Sequence, residues 1–162
     1  MNKRLTTDEA LVRMEMLCAR SEMCSYEVEQ KLRRQGFTQG ESEKIIDSLT
    51  DRKFIDDRRF AAAFTRDKYR FARWGRNKIR SHLILKRIPR QAIDEAMQSI
   101  DLREYARTAY AVIAARLRSL PSEMPQFEQR QRLLRFAAGR GYETSLIIRI
   151  LDSEKLWDSR KE

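Results

Sequence analysis

Twelve Lys or Arg residues lie between Arg58 and Arg90 against a single acid, Asp67, a net +11 in a chain whose formal net charge is +10. The chemistry open to such a cluster is recognition of polyanions, because guanidinium groups grip phosphate or carboxylate oxygens two at a time. The cations are also patterned. At about 100° per residue, Arg59, Arg66, Arg70 and Arg73 fall within roughly 40° of one direction on a helix. Phe60, Phe64 and Phe71 share another side and are read as the core stripe. After Trp74 and Gly75 a second helix is expected, with Ile79 and Leu83 apolar and Arg76, Arg80 and Arg87 on a different side. Arginine-rich faces can serve solubility alone, but acids then sit three or four residues away to pair with them. Asp67 is the single local candidate, so the cluster is read as a binding face whose self-repulsion an anionic partner relieves. On that reading, replacing Arg70, Arg73, Arg76 and Arg80 leaves stability nearly unchanged.

Other reactive side chains are few. His82 is the only histidine and is read as a half-exposed helix residue beside Leu83. Asp56 and Asp57 could hold a magnesium ion for nuclease chemistry. Capping of a helix start explains them more simply, since Asp there accepts free N–H groups and faces the positive end of the dipole. Cys18 and Cys24 read as small buried hydrophobes, for want of further ligands to make a metal site. Trp74 could stack on a base, with packing at the helix end the commoner role. No phosphate loop, G-x-S-x-G or H-E-x-x-H pattern occurs. The expectation is a binding protein, not an enzyme, with no cofactor and no metal.

The elements that must position the cluster are helices. Five Gly, three Pro and 36% charged residues, with no sustained alternation, favour an all-α chain. Thr6 with Glu9 and Thr38 with Glu41 have the spacing of capping boxes, as do Asp101 and Glu104; Ser25 is read as the cap of the second helix. Ala10, Leu11, Met14, Leu17 and Cys18 form the first apolar stripe, Val28 and Leu32 the second, and Ile45, Ile46 and Leu49 the third. This pattern recurs. Relative to Phe37, Ile88 and Tyr142, Val28, Ile79 and Leu133 hold one shared offset, and Leu32, Leu83 and Ala137 another. The apolar residues that follow these anchors also run in one register. The period is roughly 50 residues, the signature of a repeat architecture. Three three-helix copies are therefore expected, over 1–53, 54–100 and 101–162, stacked into an elongated, curved body. Ser119 to Pro125 is the one conspicuous linker. The tail from Ser153 is expected to fray, with Leu156 and Trp157 available to pack back.

The central copy, with FIDDRRFA, a basic helix ending near Gly75 and K-I-x-x-x-L-x-x-K-x-I from Lys78 to Ile88, resembles the second repeat of the RecX family, bacterial regulators of the RecA recombinase. The three-copy layout and the Gly-aromatic pairs Gly36-Phe37 and Gly141-Tyr142 extend the resemblance over nearly the whole chain. One departure is Arg87, where the family usually has Gly. The resemblance implies a protein that lies in the groove of the RecA filament on DNA and lowers its ATPase and strand exchange. It also implies that the matching cations Arg66, Arg70, Arg73, Arg76, Lys78, Arg80, Lys86 and Arg87 meet phosphates or acidic RecA surface. Expected partners are the RecA filament and single- and double-stranded DNA. The chain is expected to be monomeric and cytoplasmic, with no membrane partner. The runner-up is a general basic DNA- or RNA-binding protein without RecA specificity.

Overall fold

The computed structural model describes residues 4–160, so Met1, Asn2, Lys3, Lys161 and Glu162 lie outside it. The regular structure of those residues is helical throughout: α1 (Thr7–Arg20), α2 (Ser25–Arg34), α3 (Gln39–Asp51), α4 (Asp57–Arg70), α5 (Arg76–Leu85), α6 (Arg90–Gln98), α7 (Leu102–Ser119), α8 (Gln126–Gly139), α9 (Thr144–Leu151) and α10 (Glu154–Asp158). None is long and apolar enough to cross a membrane. The chain gathers into two compact units, one of residues up to Ala63 with Leu83–Ala96, the other of Phe64–His82 with everything from Met97 onward. The division passes through α4 and α5.

The first unit closes on Ala10, Met14, Met23, Val28, Leu32, Phe37, Ile45, Leu49 and Ile55, with Leu11, Leu17, Cys18 and Ile46 partly buried against them. The apolar spacing places these side chains at one helix face, and burial of each is the main stabilising term, about 1.5–3 kcal/mol for a full Leu or Ile. In the second unit Ile79, Tyr105, Ala109, Ile113, Leu133, Ala137, Ile147 and Leu151 are buried in the same manner. Leu156 is also fully buried, and the Trp157 indole donates to the Leu151 carbonyl at 2.9 Å, so the segment expected to fray is a helix docked by its two apolar residues.

Helix starts are chemically specified. Thr6 and Glu9 exchange backbone-to-side-chain bonds of 2.7 and 3.2 Å, and Thr38 with Glu41 does the same at 2.7 and 3.3 Å, reciprocal capping boxes both. Two other starts differ from expectation. Cys24, not Ser25, caps α2, since the Glu27 carboxylate takes its N–H at 3.3 Å and Ser25 is already helical. Asp101 caps α7 by accepting from Arg103 and Glu104 N–H, both at 2.9 Å, while the Glu104 carboxylate is engaged elsewhere.

The three anchors end their helices alike. Phe37 N–H reaches the Leu32 carbonyl at 3.1 Å, Ile88 that of Leu83 at 3.1 Å and Tyr142 that of Ala137 at 3.2 Å, each with a shorter bond from the residue before. This is the Schellman ending, which requires a left-handed residue just ahead of the anchor. Gly36 and Gly141 supply it with φ of 85° and 93°, and Arg87 supplies it with φ of 53°. The departure from Gly thus leaves the cap geometry intact at a cost of about 1–2 kcal/mol for a left-handed side-chain-bearing residue. Phe71 is a correction: it is 80% exposed, not core, standing one residue past the end of α4 at Arg70.

Replacing Arg87 by Gly should keep or raise stability in urea, relief of the left-handed strain offsetting the extra freedom of glycine in the unfolded chain. Arg87→Val should lose about 1 kcal/mol or more. A glycine variant clearly weaker than wild type would refute this account of the cap.

Candidate functional site

The cluster is not short of acids, which is a second correction. Arg70 meets Glu104 at 3.1 Å, Arg76 meets Glu143 at 2.5 Å, Lys86 meets Glu27 at 2.5 Å and Arg87 approaches Glu29 at 3.7 Å. Arg58 and Arg59 pair with Glu95 and Glu22 at 2.7 and 2.9 Å. Each of these carboxylates is far from its cation in sequence, so a search at three or four residues' distance passes over it. Hydrogen bonds donated to the Glu104 and Glu143 carboxylates raise the already high pKa values of Arg70 and Arg76, fixing both as cations.

What remains uncompensated is narrower than the segment. Arg73 is exposed, and its guanidinium makes no hydrogen bond or ion pair among the described residues. Arg66 is exposed and has only its neighbour Asp67, at 3.6 Å. Lys68 and Lys78 both lie over the Trp74 ring, at 4.7 and 4.4 Å from its centroid, an arrangement in which the ring quadrupole holds the ammonium groups. Arg80 is half-buried and does not count among the uncompensated cations, being engaged within the fold. All the candidate cations from Arg66 to Arg80 belong to the second unit, Lys86 and Arg87 to the first.

The turn between α4 and α5 is held through its backbone. Gly75 N–H donates to the Arg140 carbonyl at 2.8 Å and Asn77 N–H to that of Gly141 at 3.0 Å. The Arg140 guanidinium donates to the carbonyls of Ala72 and Arg73 at 2.7 and 3.1 Å, and the Tyr142 hydroxyl to that of Arg73 at 2.9 Å. The Tyr105 hydroxyl accepts from Arg76 N–H at 2.8 Å and donates to Glu143 at 3.0 Å. Burial pushes Tyr142 up to about 12 and Tyr105 well above its ordinary value, so both hydroxyls keep their protons. Two chains approach this closely only because glycine stands on both: a Cβ on Gly75 would fall 2.0 Å from the Gly141 carbonyl carbon.

The other reactive groups have structural surroundings. Asp56 accepts from Arg59 N–H at 3.0 Å, capping α4, whereas Asp57 accepts from Ser25 N–H at 2.8 Å and so serves α2. His82 lies 4.6 Å from Trp74, ring centre to ring centre, and is half-buried. Both cysteines are free, and burial pushes Cys24 up to about 11. No group of three or more His, Cys, Asp or Glu among the described residues could hold a metal ion. Composition points to one basic region, but Arg116, Arg132 and Arg135 also line a groove of about 500 Å³ with Phe136, which no local charge run announces.

Residues 56–97 match the family model for the second three-helix domain of RecX. The chain is 33% identical over 121 residues to the regulatory protein RecX of Chlorobaculum tepidum, covering 75% of this chain and 72% of that protein. It is 31% identical over 122 residues to that of Clostridium botulinum strain Eklund 17B, where the match covers 75% of this chain and only 57% of the relative. In fold it resembles a crystal structure of a regulatory protein RecX, with a TM-score of 0.83, 22% identity, and coverage of 91% of this chain and 73% of that one.

Gly75→Ala should cost about 1–3 kcal/mol or more, since backbone on both sides must move, while Gly40→Ala, which meets nothing within 4 Å, should be neutral or slightly stabilising in the same thermal melts. Arg76→Ala should cost about 1–2 kcal/mol by leaving the Glu143 carboxylate without its cation and the Tyr105 ring without the guanidinium over it. Arg66→Ala and Arg73→Ala should stay within about 0.5 kcal/mol of wild type. Equal losses at all three arginines would contradict the division into paired and free cations.

Proposed function

From the premise that the chain belongs to the RecX family, we propose that it binds the RecA filament on DNA and lowers its ATPase and strand-exchange activities, acting by binding with no chemistry of its own. The observation that carries this reading is the set of cations at the α4–α5 turn that lack a full carboxylate partner, Arg66, Arg73, Lys68 and Lys78. A polyanion is the partner that such a set attracts, because every phosphate that docks there turns repulsion between neighbouring cations into attraction. Arg70, Arg76, Lys86 and Arg87 serve the site differently. Their pairs with Glu104, Glu143, Glu27 and Glu29 hold helices in place, and a filament contact at these positions must compete with a carboxylate. Arg80 completes the set carried over from the family. The protein acts as a monomer in the cytoplasm, where RecA and DNA are.

The DNA-dependent ATPase of the cognate RecA, assembled on single-stranded DNA and titrated with this protein at fixed salt, tests the proposal. Inhibition is expected at concentrations that scarcely coat the same DNA without RecA, and Arg66→Ala with Arg73→Ala should weaken it about tenfold. An ATPase that falls only as bare DNA saturates would make the protein a competing basic DNA binder instead.

A further inference from the structure

The turn after α4 exposes a large aromatic side chain on a backbone that cannot readily yield. Phe71 is 80% exposed, yet its N–H donates to the Asp67 carbonyl at 2.9 Å. Beyond it, the Ala72 and Arg73 carbonyls are held by Arg140 and Tyr142, and the Trp74 and Gly75 N–H groups by the Lys68 and Arg140 carbonyls at 2.9 and 2.8 Å. Arg73 is kept in the left-handed region, φ 54°, with its side chain outside. A flexible loop would fold a phenylalanine back and gain about 1.5–3 kcal/mol of burial. This turn keeps the ring in water.

We infer that Phe71 is a stacking platform for an unpaired base of single-stranded nucleic acid, with the exposed Arg73 of the same turn to meet a flanking phosphate. The inference rests on the proposed reading of this basic face and names the part of the nucleoprotein that it meets. Charge selects the occupant. Phe71 shares its turn with the exposed guanidinium of Arg73, which makes no hydrogen bond or ion pair among the described residues and so attracts a phosphate. An aromatic ring among cations is the arrangement that binds single strands without regard to sequence, since every base offers a π face and duplex DNA offers none. Trp74 is not available for this role, its ring being occupied by Lys68, Lys78 and His82.

The experiment is a fluorescence-anisotropy titration of a labelled oligothymidylate and of a matched duplex over a series of KCl concentrations, with the full chain and with Phe71→Ala, Phe71→Leu, Phe71→Trp and Arg73→Ala. Because Phe71 is exposed, these variants should melt with wild type, which checks that the turn is intact. Phe71→Ala and Phe71→Leu should each weaken single-strand binding about fivefold or more without changing the salt slope, and Phe71→Trp should retain it. Duplex binding should not change. Arg73→Ala should instead make the slope shallower by nearly one. Stacking is overturned if Phe71→Ala binds the single strand as wild type does, if leucine substitutes fully for the ring, or if duplex and single strand weaken together. The same variants in the RecA ATPase assay separate the two failures. Wild-type inhibition together with unaltered single-strand binding by Phe71→Ala keeps the regulator and discards the platform. If Phe71→Ala binds the single strand normally but loses inhibition, the ring belongs to a protein pocket. A wild-type chain that neither inhibits nor binds discards both.

Discussion

The backbone approach of Gly75 to Gly141 is the constraint on which the second unit depends. Its main-chain bonds, Gly75 N–H to the Arg140 carbonyl and Asn77 N–H to that of Gly141, join residues far apart in the sequence through groups that no rotamer change can replace. A helix end and a helix start are thereby fixed against each other, with α5 beginning where α8 has just finished. Hydrogen bonds of this kind add only about 1 kcal/mol each to stability, but leaving their buried donors and acceptors unmade costs more. The junction therefore tolerates little intermediate geometry. The tyrosines Tyr105 and Tyr142 extend it into the core, one end of each ring apolar and buried, the other a hydroxyl with a defined partner.

Charge organisation follows from the same topology. Glu104 on α7 and Glu143 at the start of α9 meet Arg70 and Arg76, while Glu22, just before α2, and Glu27 and Glu29 within it meet Arg59, Lys86 and Arg87. The basic segment is thus basic mainly as a stretch of sequence. In space, much of it is balanced, and the residues left over gather where the chain turns. Exposed pairs of this sort add little stability singly; their effect here is to orient long side chains and to concentrate the unbalanced field at one turn.

Most of the helical scaffold is legible in the sequence because it is written locally. The spacing of Val28, Leu32, Ile79, Leu83, Leu133 and Ala137 dictates which face is buried, and Thr6 and Thr38 carry their capping glutamates three residues away. Function-bearing detail is less legible where it depends on distant residues. Asp57 looks like a cap for its own helix and caps another, since the Ser25 N–H that it serves is 32 residues away. Glu104 has capping-box spacing and pairs with Arg70 instead. Phe71 has core spacing and stands in water; it lies one residue past the end of α4, and periodicity carries no signal of where an α-helix stops. Arg80 aside, the cations carried over from the family resemblance divide into balanced and unbalanced sets, and the carboxylates that balance Arg70, Arg76, Lys86 and Arg87 lie in no window of neighbours.

The paired arginines also bear on how the chain would respond to ionic conditions. A cation facing bulk solvent keeps its neutrality through mobile ions, whereas Arg70, Arg76 and Lys86 carry theirs as tethered carboxylates within the fold. An incoming phosphate at such a position displaces a glutamate, not a chloride, and the freed glutamate stays nearby as a repelling charge. The fold thus contains its own competitive inhibitor of tight, indiscriminate polyanion binding, one whose local concentration dilution cannot lower.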